Sequence, residues 1–534
     1  MVRRLISTLI VTIWVSGIFY LRNNSLPHII FIIAAACFWL GLITVRERFH
    51  FGLLKKIDYK CTRFLDAMGD KTLFLNVWLL AFLCFIPAFI AFFPGIFGYD
   101  APSQFAMFMG RLPFDSAQQP LLHTLFIGGI ISLGKLIFGS YQAGFVCLVL
   151  VQGLLISNCM AFVFIFLRKR NVPLLFILLG MLWVVWNPYI QILNCNVTKD
   201  VMFAVFFIDF IMAVIHGLEK EKMRISDIAA LFISGLLMCL FRNGLVLAVA
   251  VLFVFSLILR VKKKELYIIF AAVILVSEIF SFSAQQFFGI KKSPEKEFFA
   301  VPIQQLSYVM YLNEVSPESV NISEVERETF LELIPNAGEL VEQFNMYNAD
   351  PPKTMFSLET FKKDRLRYFT LYMHVGEKNT GAYLKSWRYL VWPYFYMNLN
   401  EHKALMLRNF FMLFFENSEV DIHSDAKYLE KYRNYLEDAA SGNTKLFNEP
   451  IWAILLLGLM IGWSVARDSK SIFLGSMVIL TYFFGILLGP IALMRYTYPL
   501  MLAFPLMFGL LFCGGKYVPD SIKQEKLLEE VKKS

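Results

Sequence analysis

Long apolar runs, each about the length of a bilayer crossing, alternate along the chain with short polar stretches. The first three cover about 5–21, 27–45 and 73–93. A membrane-spanning helix needs roughly 20 mostly apolar residues. Further runs cover 141–167, 172–190, 201–218, 228–241, 245–259, 266–283, 450–465, 472–488 and 497–512. The pattern predicts an all-α polytopic membrane protein with about twelve transmembrane helices. No small-residue cleavage site precedes Arg22, so the first run is expected to stay as a span.

Charge sets the orientation. Arg46, Arg48, Lys55, Lys56, Lys60 and Arg63 follow the second run. Arg168, Lys169 and Arg170 follow the run at 141–167, and Lys220, Lys222 and Arg224 the one at 201–218. Lys262, Lys263 and Lys264 follow 245–259. Loops rich in Lys and Arg stay cytoplasmic, and keeping all of them there puts both termini inside. It also requires that 120–138 not cross, although it is apolar. That segment carries Gly128, Gly129, Gly134 and Lys135 and is expected to lie on the outer face as a juxtamembrane or re-entrant element. Phe51, Leu54, Ile57, Phe64, Leu65 and Met68 share one helical face, the pattern of an interfacial helix on the inner leaflet.

The expected organisation has four parts. Residues 1–71 form a two-span hairpin with the interfacial helix, and 72–283 a transmembrane core with an outer loop at 94–140. Residues 284–449 form a mostly helical extracytoplasmic region, and 450–534 three closing spans with a cytoplasmic tail. In the outer region Ser323 and Glu326 have the spacing of a capping box, and Pro351-Pro352 is expected to separate helices. Trp387, Tyr389, Trp392, Tyr394 and Tyr396 make an aromatic patch suited to the membrane interface.

Composition sharpens the class. The chain has 534 residues, 57% hydrophobic and 17% charged, where soluble domains are about a quarter charged. The net charge of +9 is accounted for by the basic loops and calls for no nucleic acid. The eight cysteines lie in or beside apolar segments, which suggests neither a disulfide framework nor a zinc ligand set. No P-loop, dinucleotide glycine pattern, serine elbow or HExxH is present. The cytoplasmic loops are too short for a nucleotide-binding domain, so any donor is lipid-borne or met outside.

The polar residues at the outward span ends are the candidate chemistry. Asp100, Gln104, Asp115, Gln118, Gln119 and His123 follow the third run, where Pro94-Gly95 ends the helix. Lys199 and Asp200 open a later span, Arg242 and Asn243 lie between two others, Gln304 and Gln305 follow 266–283, and Arg495 and Tyr496 precede the last. Converging helix ends would gather an acid, amides and cations into one interfacial pocket. Such a set suits an anionic phosphate and a hydroxylated partner, because arginine forks match phosphate oxygens. Asp209 and Glu278 sit within spans, where charge is costly.

An acid in the first large outer loop, then a proline-containing juxtamembrane element, then a span ending in basic residues, resembles the GT-C superfamily of membrane glycosyltransferases. A group of Gram-positive polytopic membrane proteins is more similar still. The likeness rests on the order of Pro94-Gly95, Asp100, Gln104, Gln119-Pro120, His123-Thr124, Thr198-Lys199-Asp200, Arg242-Asn243-Gly244 and Val301-Pro302-Ile303-Gln304-Gln305. Asp350-Pro351-Pro352-Lys353 and Arg495-Tyr496-Thr497-Tyr498-Pro499 continue it. Two departures stand out: Ala101 follows Asp100 where the superfamily often pairs two acids, and Gln119-Pro120-Leu121 replaces His-Pro-Pro or Lys-Pro-Pro.

The resemblance implies a polyprenyl-phosphate-linked sugar donor, a cell-envelope acceptor and Asp100 as general base. Gln104, Gln119, His123, Lys199, Asp200, Arg242, Asn243, Gln304, Gln305, Arg495 and Tyr496 are then the binding residues. A divalent metal (Mg or Mn) at Asp100 is left open. The location implied is the plasma membrane, with the active site extracytoplasmic. Two other readings stand beside it: a transporter or flippase of lipid-linked sugars, using Asp209 and Glu278, and a polysaccharide polymerase or ligase.

Overall fold

In a bilayer the backbone must satisfy its own hydrogen bonds, so apolar runs close into helices. The computed structural model describes residues 1–23, 25–48, 65, 67–114, 119–290, 295–397, 422, 428–441 and 449–513, and no strand occurs among them. The first apolar part comprises α1 (Val2–Asn23), α2 (Ile29–Arg48), α3 (Gly69–Ala91), α4 (Ala101–Phe108), α5 (Leu121–Phe138), α6 (Tyr141–Arg168), α7 (Leu174–Trp186), α8 (Pro188–Asn194), α9 (Lys199–Glu219), α10 (Ile225–Phe241), α11 (Val246–Ile258) and α12 (Lys264–Phe288). A polar part follows: α13 (Ala300–Val315), α14 (Glu324–Leu333), α15 (Ala337–Gln343), α16 (Asp350–Met355), α17 (Leu358–Lys363), α18 (Arg365–Lys378), α19 (Thr380–Val391) and α20 (Glu430–Ala440). The chain closes with α21 (Ile451–Ala466), α22 (Lys470–Leu487), α23 (Met494–Leu502) and α24 (Phe504–Leu511).

This is a polytopic helical membrane protein. Among the described residues seven helices (α1, α3, α5, α6, α9, α12 and α22) are long and apolar enough to cross a bilayer. The other expected spans are shorter or broken. The apolar parts of α2, α10, α11 and α21 fall below bilayer length. The run at 172–190 bends by 67° between α7 and α8. There Pro188 has no N–H to give, and Asn187 caps the new helix by accepting from Tyr189 N at 3.1 Å. The run at 497–512 breaks at Ala503, just before Pro505. The expected interfacial helix rests mostly on residues outside those described, as do Asp115, Gln118 and the tail at 516–534.

The central helix is α9, whose Phe203, Phe207, Ile208, Phe210, Ile211 and Ile215 are fully buried. Small residues let its neighbours close in, as van der Waals packing between membrane helices requires. A methyl added at Gly235 of α10 would meet Phe210, and one at Gly475 of α22 would meet Ile215, each at 2.8 Å.

The bundle has two chemically different ends. At one, Lys169 pairs with Asp70 at 2.6 Å and Arg170 with Glu219 at 2.6 Å. Arg3 pairs there with Asp468 at 2.7 Å, and Lys470 donates to Leu259 O at 2.8 Å. At the other end lie Asp100, Lys199, Arg242 and Arg495.

The α5–α6 hairpin rises past this second end. Gly134 and Gly144 nearly touch, an added methyl on Gly134 meeting Gly144 Cα at 2.4 Å. Counting back from that contact at about 1.5 Å per residue, Thr124 of α5 and Gln152 of α6 come level with each other. Gln152 there donates to Asn194 O at 2.9 Å and Asn196 O at 3.1 Å. From Gly153, which packs on Phe85, to Lys169, which pairs with Asp70, α6 runs beside α3. α5 therefore packs along the first half of α6, which runs on past the end of α3.

The polar part has its own small core around Leu306, Val309, Phe330, Leu333, Phe356 and Val375. The Ser323–Glu326 capping box forms. Pro351-Pro352 does not separate helices; both sit in the first turn of α16, where the missing N–H costs nothing. The aromatic patch holds this part to the bundle: Trp387 Nε1 donates to Leu487 O at 3.0 Å and Trp392 Nε1 to Arg22 O at 2.9 Å.

Candidate functional site

Two backbone clamps assemble the site. After α3, Gly95 turns the chain with φ +126°, a region that favours glycine. Ile96 then pairs with the loop before α9: Ile96 N donates to Cys195 O at 2.8 Å and Val197 N to Ile96 O at 2.9 Å. Gln152 holds that loop through Asn194 and Asn196. The clamp fixes Asp100, just before α4, beside Lys199 and Asp200 in the first turn of α9. The second clamp joins the polar part to the loop before α23, where Ala349 N donates to Pro490 O at 2.8 Å. It sets Asp350 and Lys353 near Arg495.

The charges interlock. Arg495 Nη1 donates to Asp100 Oδ2 at 2.9 Å, and Lys199 Nζ lies 3.2 Å from the same oxygen. Lys199 also donates to Gln119 Oε1 at 3.3 Å. Arg242 pairs with Asp200, which is fully buried and accepts from Thr198 Oγ1 at 3.3 Å. Arg495 Nε stands 3.7 Å from Asp200 Oδ2, so one guanidinium joins both acids. Tyr99, at φ +56°, puts its ring 4.5 Å from the Arg495 guanidinium, and the Tyr496 ring lies 5.1 Å from Arg495 and 5.3 Å from Arg242. Burial alone would raise the Asp100 carboxyl, but Lys199 and Arg495 outweigh it and hold the group well below the usual carboxylate range. Burial likewise raises the Tyr99 phenol and keeps it neutral.

A cavity of about 480 Å³ opens over this cluster. Of the expected site residues, Asp100, Gln119, Lys199, Asn243, Arg495 and Tyr496 line it. Asp200 and Arg242 join the same charge cluster through Arg495 and Tyr496. Four of the expected residues lie away from the cavity lining. Gln104 and His123 are fully buried between α4 and α5: His123 Nδ1 bonds Gln104 Oε1 at 2.9 Å, and Gln104 Nε2 donates to Thr124 Oγ1 at 3.2 Å. They join two helices rather than line the cavity. Gln304 donates to Asn345 O at 2.8 Å and Gln305 to Tyr383 O at 3.1 Å, so both satisfy backbone carbonyls inside the polar part.

Three charged lining residues were not singled out from the sequence as site residues: Glu297, Asp350 and Lys353. Lys353 Nζ lies 2.9 Å from Glu297 and 2.8 Å from Asp350; burial lowers its ammonium, and the two acids more than restore it. The signal available was Asp350-Pro351-Pro352-Lys353, which stands among the ordered motifs.

As a metal site the cluster fits poorly. The Asp100 oxygen that would ligate already holds two cations, Asp200 is covered by Arg242, and among the described residues no group of three His, Cys, Asp or Glu is placed to share an ion. Around the whole cavity four cations (Lys199, Arg242, Lys353 and Arg495) stand against four carboxylates (Asp100, Asp200, Glu297 and Asp350); the excess of cations is local to Asp100 and Asp200, where Lys199, Arg242 and Arg495 are placed to meet an anion.

A family model described as a family of unknown function, DUF6020, matches residues 111–524. No curated protein and no solved structure matches.

Proposed function

The chain belongs to the DUF6020 family, and we propose that it is a membrane glycosyltransferase of GT-C type. It moves a sugar from a polyprenyl-phosphate donor to an extracytoplasmic acceptor: a cell-surface polymer, lipid or protein. In this reading the chain lies in the plasma membrane with about twelve passages, the broken and short helices among them, and the basic end and both termini are cytoplasmic. The observation that carries it is Asp100 on the rim of the cavity, joined to Arg495 and Lys199 at the end of the bundle opposite the basic loops.

The chemistry follows from those contacts. The donor phosphate competes with Asp100 for Arg495 and Lys199. Asp100, relieved of them, accepts the proton of the acceptor hydroxyl as that oxygen bonds to the anomeric carbon. The bond from that carbon to the phosphate oxygen breaks, and its electron pair leaves with the phosphate, where Arg495, Lys199 and Arg242 stabilise the charge. One displacement inverts the anomeric centre. A polymerase or ligase shares these steps and differs in its acceptor. The transporter reading is less well supported: the charged residues gather at an end of the bundle, whereas Asp209 lies midway along α9 beside the Cys159 thiol.

The test is transfer of labelled sugar from polyprenyl-phosphate donors in membranes holding the full chain. Transfer that disappears in Asp100→Asn is expected. Transport of the intact donor without transfer, unaffected by Asp100→Asn, would overturn the reading.

A further inference from the structure

A second cavity, of about 600 Å³, opens at the basic end between the end of α9, the α11–α12 loop and the α21–α22 loop. Five cations line it: Arg260, Lys262, Lys263, Arg467 and Lys470. Its two acids are already engaged. Glu219 holds Arg170 at 2.6 Å and accepts from Ser471 Oγ at 3.2 Å, and Asp468 holds Arg3 at 2.7 Å.

Two of the cations build the walls. Lys263 Nζ donates to Gly217 O at 2.6 Å and also to Lys220 O, which ties off α9, and Lys470 Nζ donates to Leu259 O at 2.8 Å. Arg260, Lys262 and Arg467 remain exposed with no ion pair among the described residues, Arg467 lying over the buried Trp463 ring at 5.1 Å. The first turn of α22, Lys470 to Ile472, forms another wall. Ser469 Oγ accepts from Ile472 N at 3.4 Å, while the N–H groups of Lys470 and Ser471 have no partner within the helix and carry the positive end of its dipole. Loop cations at a cytoplasmic membrane face are ordinary in themselves. A roomy cavity whose acids are spent, with unpaired guanidinium and ammonium groups on one side and a helix start on another, has the makings of an anion site.

We propose that this cavity binds a phosphate group, borne by an anionic phospholipid of the adjoining leaflet or by a soluble phosphate compound. Basic pockets among helix ends at that face take anionic head groups. The site is separate from the proposed transferase site and stands whether or not that reading does.

The test uses the purified full chain in neutral detergent, reading its thermal midpoint against added phosphatidylglycerol, phosphatidylcholine or inorganic phosphate. Phosphatidylglycerol is expected to raise the midpoint and phosphatidylcholine not to. The double variant Arg260→Gln/Lys262→Gln should need on the order of thirtyfold more phosphatidylglycerol, while Arg260→Lys/Lys262→Arg should behave as the natural chain. A response to inorganic phosphate as strong as that to the lipid supports the site with a soluble occupant. Equal effects of the two lipids with none from phosphate, or an unchanged response in the glutamine variant, would overturn the proposal.

Discussion

Asp100 holds two cations on one oxygen, and that governs how its replacement behaves. Asparagine keeps the size but removes the basic oxygen. Insertion should stay near normal and donor affinity should hold or rise, since the carboxylate no longer competes for Arg495 and Lys199, while turnover falls by about 10²–10⁴-fold, the worth of a general base. Full transfer by Asp100→Asn at normal membrane levels would remove it as the base. Arg495 is only 7% exposed, yet Arg495→Ala leaves Lys199 on Asp100 and Arg242 on Asp200, so neither acid loses every partner. Loss of the phosphate contact should then dominate, at about 1.5–3 kcal/mol, roughly ten- to a hundredfold in donor affinity; donor binding at natural strength in the variant would exclude the contact. For pH the sign is fixed by the lowered Asp100 carboxyl. A carboxyl lowered by folding loses its ion pairs only as pH falls through its folded value. The acid limb of kcat/KM, which reports the free enzyme, should therefore lie below about pH 4, the ordinary Asp value. A limb near pH 6 that vanishes in Asp100→Asn would contradict the pairing. Much of this cluster was legible because charges at outward span ends are few. The amides were not: Gln304 and Gln305 satisfy carbonyls inside a packed segment as readily as they would bind a ligand. Glu297 looked like any loop acid, because only the fold brings it to the same cavity as Asp100.

At the scale of elements, the hydrophobic pattern located the helices but not their interruptions. Apolar side chains continue through Ala503, so the pattern shows no gap there, while the break at 187–188 is marked only by the single polar Asn187 and the turn-forming Pro188 within an otherwise apolar run. Nor does periodicity reveal how closely α5 and α6 approach. A Cβ at Gly144 would meet Ile131 O at 2.1 Å, while one at Gly129 would meet nothing within 4 Å. Backbone cannot give way as a side chain can, so Gly144→Ala should push the helices apart and destabilise by about 1–3 kcal/mol. Gly129→Ala, a gain in helix propensity without a clash, should be neutral or slightly stabilising. Thermal midpoints of the two variants check this. Equal midpoints would mean that the hairpin does not depend on the contact.

For the whole molecule, the decisive property is that opposite ends of one bundle carry different charge clusters. The charge-bias reading puts Lys169, Arg224, Lys263 and Lys470 inside and the cavity at Asp100 outside. The α5–α6 hairpin is the severe test, because α5 is long and apolar enough to cross yet packs on the first half of α6, which runs on past the end of α3. If it rises on the outer face, its tip must be reachable from outside. In a cysteine-free background, Leu136→Cys on the exposed side of α5 and Glu318→Cys in the polar part should react with a membrane-impermeant maleimide on intact cells. Lys222→Cys, exposed in the α9–α10 loop, should react only after permeabilisation. Protection of Leu136→Cys until permeabilisation, with Glu318→Cys reactive throughout, would make α5 a true crossing. It would also move Arg168, Lys169 and Arg170 to the outer side, leaving three cations where the charge rule disfavours them. Reactivity of Lys222→Cys in intact cells would invert the bundle and place the cavity at Asp100 in the cytoplasm, out of reach of any acceptor on the cell exterior.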